Sequence, residues 1–252
     1  MSDGWPGGEL LGLDFETTGV DRTGDVPVSF ALVIARAGSI SAQHSALIDP
    51  GRPIPEEATA IHGITTERAR AEGMALADAV HLVADAVCDA GERGVPIVGM
   101  NLCFDLSILD VQLRKLTGSG LHERQWCGPV LDVLVLDRHL DRFRKGKRRL
   151  EHLCAHYGVP VEHSHDAGAD AASAIGVLLA ICRRFPALGA MELDEVTAAQ
   201  AGWHREWAGG YDAWRTRAGL SPLSPLDYDW PLARVEPAVL PDALVGAPPG
   251  FA

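Results

Sequence analysis

The chain has 252 residues, of which 47% are hydrophobic, and it carries a formal net charge of −12. This length allows one substantial α/β domain plus a smaller appended region. The charge argues against general affinity for nucleic acid, because phosphate binding normally needs clustered lysine and arginine, so any such contact must be local. No apolar run approaches the roughly 20 residues that a transmembrane helix needs, which predicts no membrane span.

Two further features of the composition bear on location and on metal class. Residues 1–10 have neither a basic segment nor an apolar core, so we expect no secretory signal and a cytoplasmic protein. The five cysteines are scattered and form no C-x-x-C pair. This is typical of reduced thiols rather than of disulfides or a zinc knuckle.

The predicted elements begin with three consecutive strands. Apolar and polar residues alternate from residue 11, and residues 28–35 and 39–48 follow as strands joined by a turn at 36–38. The later elements are short helical signals in 53–66, a helix over 75–90, a strand over 95–99, a helix over 104–116, a strand over 130–135, and helices over 150–157 and 167–184. This order predicts an α/β fold with a mixed five-stranded sheet flanked by helices.

The composition changes near residue 190. We therefore expect a main domain over residues 1–189 and a C-terminal helical appendage with a Pro-rich tail over 190–252. The helix of this appendage carries four aromatic side chains at helical spacing, namely Trp203, Trp207, Tyr211 and Trp214. Such a stripe is typical of packing on a core or on a partner subunit, which leaves a homodimer open, and base stacking is the alternative.

Two carboxylates lie inside the first predicted strand. Because successive strand side chains point to opposite faces, Asp14 and Glu16 share one face while apolar residues line the other. A half-solvated edge strand is the ordinary alternative for an isolated pair of this kind. The later acids of the chain argue against that alternative.

Two predicted helices each carry an acid on the apolar side. Asp105 lies one turn before Leu109, and Asp170 lies one turn before Ala174. A carboxylate on the core side of a helix is costly unless it is paired or metal-bound. Together with the strand pair, these residues predict a site of four carboxylates.

A site of this composition favours a particular metal chemistry. Oxygen ligands without cysteine suit Mg²⁺ or Mn²⁺ rather than zinc. Two such ions about 3.5 to 4 Å apart can stabilise the attacking and the leaving oxygen of a phosphoryl displacement. An imidazole titrates near neutral pH, so His165 could accept the proton of an attacking water. His163 is the alternative base, but the spacing to Asp170 favours His165.

Three segments together resemble the motifs of the DnaQ-like DEDDh 3′-to-5′ exonucleases. They read D-F-E-T-T-G from Asp14, N-x-x-F-D from Asn101 and H-x4-D from His165, in this order. The family includes the proofreading subunit of bacterial replicative polymerase, RNase T and oligoribonuclease. The similarity covers residues 9 to about 184, and residues 61–65 match a segment common in the proofreading branch.

The resemblance implies a ribonuclease H-like fold and a role for each acid. Asp14 would bridge two Mg²⁺ or Mn²⁺ ions, and Glu16 and Asp170 would hold the first. Asp105 would serve the second ion, and His165 would be the general base. The substrate contacts expected from the family are Thr17, Thr18, His62, Asn101 and Phe104.

Two of the motif regions leave an alternative open. His62 is either a packed loop histidine or a residue near the terminal nucleotide. Met100 departs from the family pattern, because relatives usually carry histidine there, and this affects local packing rather than the metal site.

Basic residues and paired histidines complete the candidate set. The dense positive cluster consists of Arg142, Arg144, Lys145, Lys147, Arg148 and Arg149. An acidic protein that holds a polyanion needs such a patch, so we expect Arg144 and Lys147 to contact phosphates, and a solvated loop is the alternative. His152 and His156 have the spacing of a metal pair but lie off the apolar stripe, so we expect them to be solvated.

These patterns lead to one main hypothesis. The chain is predicted to be a metal-dependent 3′-to-5′ exonuclease that acts on single-stranded DNA and releases 5′-mononucleotides. An RNA-directed exoribonuclease and a polymerase-associated proofreading subunit are the alternatives within this chemistry. No clamp-binding peptide is recognisable, which favours a free-standing enzyme. An inactive adaptor would have lost a ligand, and all five family positions are intact.

Overall fold

The computed structural model describes residues 4–160 and 166–234. Six strands are found in these ranges: β1 (Glu9–Thr17), β2 (Pro27–Arg36), β3 (Ser39–Asp49), β4 (Met74–Ala75), β5 (Ile97–Gly99) and β6 (Val130–Asp132). The helices there are α1 (Glu56–His62), α2 (Thr66–Glu72), α3 (Leu76–Glu92), α4 (Leu102–Thr117), α5 (Val133–Leu140), α6 (Leu150–Tyr157), α7 (Ala167–Arg184), α8 (Pro186–Gly189) and α9 (Leu193–Arg217). Two 3₁₀ turns lie at Trp5–Gly7 and Pro225–Tyr228.

The six strands form one mixed sheet in the order β4-β3-β2-β1-β5-β6. β1, β2 and β3 are an antiparallel meander, whereas β5 and β6 run parallel to β1. The turn from β2 to β3 uses positive φ angles at Ala37 (50°) and Gly38 (80°), as a tight two-residue hairpin requires. The carboxyl ends of β1, β5 and β6 therefore meet at one edge of the sheet.

Helices cover both faces of the sheet. Leu11, Leu13 and Phe15 of β1 belong to the core beneath α3 and α4, while Leu10 belongs to the core beneath α7. This alternation is the strand period of two, and it aims the intervening polar side chains of β1 toward α7. The predicted mixed α/β sheet flanked by helices is confirmed.

Two details of the sheet differ from the prediction. The sheet has one strand more than predicted. This additional strand, β4, pairs with the end of β3 and is too short to produce a sequence pattern. The predicted strand over 130–135 is wrong in its second half, because Asp132 caps a helix there. Its carboxylate accepts a hydrogen bond from the Leu134 N–H at 2.9 Å. A short apolar run does not by itself distinguish a buried strand from a buried helix.

The C-terminal region packs directly on the sheet. The side-chain amide of Gln200 in α9 accepts a hydrogen bond from the Asp132 N–H (2.9 Å) and donates one to the Val130 carbonyl (2.7 Å). Trp230 and Ala233 are buried in the core beneath α3 and α4. The division at residue 190 remains a prediction, and the described part of 190–252 shares a core with the rest. Among the described helices, none has the length and apolar character of a membrane span.

Candidate active site

Three carboxylates meet where β1 faces the start of α7. One carboxylate oxygen from each of Asp14, Glu16 and Asp170 lies within 4.8 Å of the other two. All three side chains are half-buried. The predicted convergence of the strand pair with the α7 acid is therefore present in the structure.

Small residues allow α7 to bring Asp170 close to β1. A Cβ atom at Gly12 would lie 2.9 Å from Cδ1 of Ile175 and 3.2 Å from the carbonyl oxygen of Ala171, so a larger residue would push the helix away. The helix begins where the Asp166 carboxylate accepts a hydrogen bond from the Ala169 N–H at 3.0 Å. Asp170 then lies in the first turn, where the helix dipole favours a carboxylate.

Asp105 is the fourth acid and stands beside this cluster. It is buried, and its Oδ1 accepts a hydrogen bond from the Phe15 N–H at 3.0 Å. β5 pairs with β1 only at Leu11 and Gly12, so the Phe15 N–H lies beyond the strand ladder. A buried N–H without a partner is costly, and the Asp105 carboxylate supplies the missing acceptor.

The acids raise one another's pKa values. Burial raises the pKa of Asp14 well above its usual range, and the charges of Asp105, Asp170 and Glu16 add to this effect. Burial, followed by the charges of Asp170 and Asp166, raises the pKa of Glu16 to about 7. Burial also raises the pKa of Asp105, although the Phe15 N–H opposes this shift. Without a cation, the site therefore disfavours the ionised forms of Asp14, Glu16 and Asp105.

The candidate base lies outside the described residues. His165 and its competitor His163 both fall within 161–165, and their assignment stays a prediction. His62, in contrast, lines a cavity of about 240 Å³ together with Glu16, Asp166 and Ser45. Its Nδ1 accepts a hydrogen bond from the Ile64 N–H at 3.1 Å, which fixes the ring. His62, the last residue of α1, is thus both held by a hydrogen bond and a neighbour of the acids.

The two threonines after Glu16 serve the loop between β1 and β2. Thr18 is 2% exposed, and its hydroxyl donates to Asp25 (2.7 Å) and accepts from the Val26 N–H (3.2 Å). This differs from the predicted substrate contact, because the side chain is engaged inside the protein. Thr17 is half-buried and donates to the Gly19 carbonyl at 2.7 Å.

Asn101 and Phe104 lie at the start of α4, next to Asp105. Asn101 adopts a left-handed backbone conformation with φ at 65°. Asp132 holds this turn, since its carboxylate accepts hydrogen bonds from the N–H groups of Asn101 (2.9 Å) and Leu102 (3.0 Å). Asp132 was not among the site residues predicted from the sequence. Its position at the carboxyl end of a short strand, at the edge where β1 also ends, was the available signal.

The basic cluster divides into structural and exposed residues. Arg144 donates to both carboxylate oxygens of the fully buried Asp137, at 3.2 and 3.0 Å, and Arg148 pairs with the same carboxylate. The Arg144 side chain is only 7% exposed, so the structure gives it an ion pair in place of the predicted phosphate contact. Lys145 and Lys147 are exposed.

The two histidines of α6 lie beside separate carboxylates. His156 Nε2 is in hydrogen-bond contact with Asp141 Oδ2 at 2.9 Å, and His152 Nδ1 lies 3.3 Å from Glu151 Oε1. The two rings therefore have different acidic neighbours. The only candidate group of three or more metal-binding side chains within the described ranges is the one at Asp14, Glu16 and Asp170.

The chain matches a known family over most of its length. The profile of the family RNase T, described as exonuclease, matches residues 11–178. These bounds include every acid of the site.

Curated relatives come from polymerases and from a phage. A PolC-type DNA polymerase III from Lacticaseibacillus paracasei is 33% identical over 171 residues, which are 68% of this chain and 11% of that protein. An epsilon-like protein of DNA polymerase III from Rhodobacter capsulatus is 32% identical, over 71% of this chain and 24% of that protein. The uncharacterized exonuclease CP81 of Escherichia phage 186 is 30% identical, over 71% of this chain and 91% of that protein. This chain thus spans about a tenth of the PolC-type relatives.

Solved structures share the fold. Exonuclease I of E. coli, in complex with a dT13 oligonucleotide, superposes with a TM-score of 0.60 at 24% identity, over 72% of this chain and 42% of that chain. Exonuclease X in complex with 5′ overhanging duplex DNA gives a TM-score of 0.56 at 21% identity, over 76% of this chain and 99% of that chain. The predicted ribonuclease H-like architecture is therefore confirmed.

Proposed function

We propose that this chain shortens single-stranded DNA from the 3′ end. It belongs to the RNase T family of DnaQ-like 3′-to-5′ exonucleases. Each cycle hydrolyses the terminal phosphodiester bond and releases a 5′-mononucleotide. The observation that carries the proposal is the meeting of Asp14, Glu16 and Asp170 within 4.8 Å, beside the buried Asp105.

The acids fit divalent metal ions. Their donor atoms are all oxygens, and burial together with the charges of neighbouring acids raises the pKa values of Asp14 and Glu16, so a cation would favour their ionised forms. Asp14, Glu16 and Asp170 would hold one Mg²⁺ or Mn²⁺ ion, and Asp14 with Asp105 would hold a second. When bound, such ions supply charge stabilisation to the attacking and leaving oxygens of the displacement.

The remaining roles belong to residues around the acids. His165 takes the proton of the attacking water at a ring nitrogen. His62 orients the terminal nucleotide from the cavity that it shares with Glu16. Asp105 keeps the β1 acids in place through its hydrogen bond to Phe15, and it is in this respect a positioning residue as well.

Two observations support DNA as the substrate and a free-standing enzyme. The PolC-type relatives are DNA polymerases, and the Exonuclease I neighbours were solved with DNA oligonucleotides. The phage exonuclease, of which this chain covers 91%, supports action as a separate polypeptide. The five cysteines of this chain are free, which is consistent with the reducing cytoplasm. A proofreading role beside a polymerase is the second candidate, supported by the epsilon-like relative.

The test is digestion of matched DNA and RNA oligonucleotides that carry a 5′ label. With Mg²⁺ or Mn²⁺ we expect a ladder of products shortened one nucleotide at a time, faster on DNA than on RNA. EDTA, a blocked 3′ end and the Asp14→Asn variant should each stop the ladder. Faster digestion of RNA would support the exoribonuclease alternative. Internal cleavage of a circular single strand would overturn the exonuclease proposal.

A further inference from the structure

A cleft lies between the start of α4 and the C-terminal helix α9. It encloses about 390 Å³, and Asn101 and Phe104 at the start of α4 are part of its lining. Arg138 of α5 and His204 and Trp207 of α9 line it as well. We call it the first cleft. None of the four acids lines it, so its link to the candidate active site is the start of α4, where Phe104 directly precedes Asp105.

A second cleft begins where the first one ends. It encloses about 480 Å³ between α5 and α9, and Arg138 and Trp207 line both clefts. Arg142, Arg148 and Tyr211 also line the second cleft. The two clefts are therefore neighbours with Arg138 and Trp207 between them, and we call the surface from Phe104 to Tyr211 the track.

The aromatic stripe of α9 separates into two parts along this track. Trp203 packs against both cores and stacks on His139, with ring centroids 3.9 Å apart. Trp207, Tyr211 and Trp214 instead form a row of nearly parallel rings, with successive centroids 5.2 and 5.5 Å apart. Trp214 is 49% exposed. We call these three side chains the aromatic row. Trp207 and Tyr211 are half-buried, and of the four aromatic side chains Trp203 alone packs on the two cores.

The track is locally basic in an acidic protein. The Arg138 guanidinium lies 3.3 Å above the Trp207 ring centre, and within the described part of the chain it forms no hydrogen bond or ion pair. Burial lowers its pKa to about 10, so it stays charged at neutral pH. In the second cleft Glu206 lies among Arg138, Arg142 and Arg148, and the charge of Arg148 is already paired with Asp137. In the first cleft Asp227 pairs with Arg22. Among the described lining residues, Arg138 and Arg142 are therefore the cations that a polyanion would meet.

We propose that the DNA strand upstream of the 3′-terminal nucleotide leaves the active site along this track, past Phe104 and Arg138, and lies against the aromatic row. The inference rests on the proposed function and adds the surface that holds the rest of the substrate. Aromatic side chains that stack with bases and arginines that meet phosphates form the usual platform for single-stranded nucleic acid.

The experiment measures binding separately from cleavage. Labelled oligo-dT of 2 to 12 nucleotides is titrated with the full chain in EDTA, and the Kd is taken from fluorescence anisotropy. For the wild type we expect the Kd to fall with length. Trp214→Ala should weaken binding of the longest oligonucleotide by roughly 5- to 150-fold, which is the range for loss of one stacked base. Tyr211→Ala should weaken it as well, because it removes the ring against which Trp214 is stacked. Arg138→Gln should flatten the dependence of log Kd on log salt by about 0.7.

Arg205→Ala is the matched control. It removes an exposed charge from α9 two residues before Trp207, on the opposite side of the helix, and should leave the Kd at the wild-type value. Thermal melts of every variant verify folding. Trp214→Ala is the decisive variant, because its exposed side chain is removable without opening the core.

The outcomes distinguish this inference from the proposed function. If the wild type digests DNA but Tyr211→Ala and Trp214→Ala bind it as the Arg205→Ala control does, the track is wrong and the exonuclease proposal stands. If Trp214→Ala changes only the oligomeric state by sedimentation, the aromatic row is a protein interface and the inference is likewise overturned. Length-dependent binding through the row without any digestion would support the track and contradict the proposed function.

Discussion

The side chain of Asp105 accepts a hydrogen bond from the backbone of Phe15, the residue between Asp14 and Glu16. This contact ties the first turn of α4 to the strand that carries two other acids. Asp105 therefore acts on the site in two ways, through its charge and through the position of β1.

Paired substitutions of Asp105 separate these two effects. Asn and Ala both remove the charge, but only Asn retains an oxygen that can accept from the Phe15 N–H. We expect both variants to lose cleavage, and Asp105→Ala to have a free energy of unfolding about 1–3 kcal/mol below that of Asp105→Asn, because it leaves a buried N–H unsatisfied. Urea unfolding in EDTA measures the difference. Equal stability of the two variants would show that the hydrogen bond does not support β1.

Removing the charge of Asp170 should stabilise the metal-free protein. Its carboxylate raises the pKa values of both Asp14 and Glu16 by repulsion, so Asp170→Asn should abolish cleavage yet raise the Tm in EDTA. Mg²⁺ should raise the Tm of the wild type more than that of the variant, since a ligand bound only by the folded state adds RT ln(1 + [L]/Kd) to its stability. A metal-free variant that melts clearly below the metal-free wild type would mean that Asp170 is mainly a hydrogen-bonded structural group.

The pH dependence of stability follows from Glu16. Its pKa rises from 4.5 to about 7 on folding, so the folded state binds this proton more tightly than the unfolded state does. Holding Glu16 ionised in the folded state therefore lowers the free energy of unfolding. This loss is fully present above pH 7 and is relieved as the pH falls toward 4.5. In EDTA, Glu16→Gln should have a higher free energy of unfolding than the wild type at pH 8, and this difference should be smaller at pH 5. Unfolding curves across this range provide the measurement. A difference that does not change with pH would contradict the raised pKa of Glu16.

The exposed lysines of the basic cluster offer a cleaner test of phosphate contact than its arginines do. Replacing Lys145 and Lys147 by Gln should flatten the salt dependence of single-strand binding by about 0.7 log units per lost contact. Arg144→Ala is the contrasting variant, because it breaks a buried ion pair with Asp137 and should lower the free energy of unfolding by about 3 kcal/mol. If the double lysine variant keeps the wild-type slope, the loop is simply solvated.

The assignment of the general base rests on the sequence motif. His165→Ala should slow turnover by roughly 10² to 10⁴, because proton abstraction is lost while the acids remain. Mg²⁺ should still raise the Tm of this variant. His163→Ala should have a mild effect on turnover, and the reverse ranking of the two variants would move the assignment to His163.

The convergence of the acids was predictable because it depends on short-range periodicity. Strand alternation puts Asp14 and Glu16 on one face, and the family motif identifies Asp170 and Asp105 as their partners. Asp132 was missed because the N–H groups that it holds lie 31 and 30 residues earlier in the chain. No local pattern reports a contact of that separation.

The same limit explains the errors in the basic cluster and in the helices. Arg144 looks like a solvated cation until the fold brings it onto Asp137, which has no exposed surface. The helix Val133–Leu140 has the apolar composition of a buried strand, and only its cap at Asp132 separates the two. The surroundings of the aromatic row on α9 depend on which side of the helix α5 covers, and helical spacing alone does not contain that information.

The Gln200 amide limits where the chain can be shortened. β6 is the last strand of the sheet, and an unpaired edge strand invites other strands to add to it. Gln200 occupies the free hydrogen-bonding groups of Val130 and Asp132, and in this way it acts as a one-residue substitute for a neighbouring strand. A truncated chain ending at residue 189 would keep every acid of the site but would open this edge, and aggregation would then compete with folding.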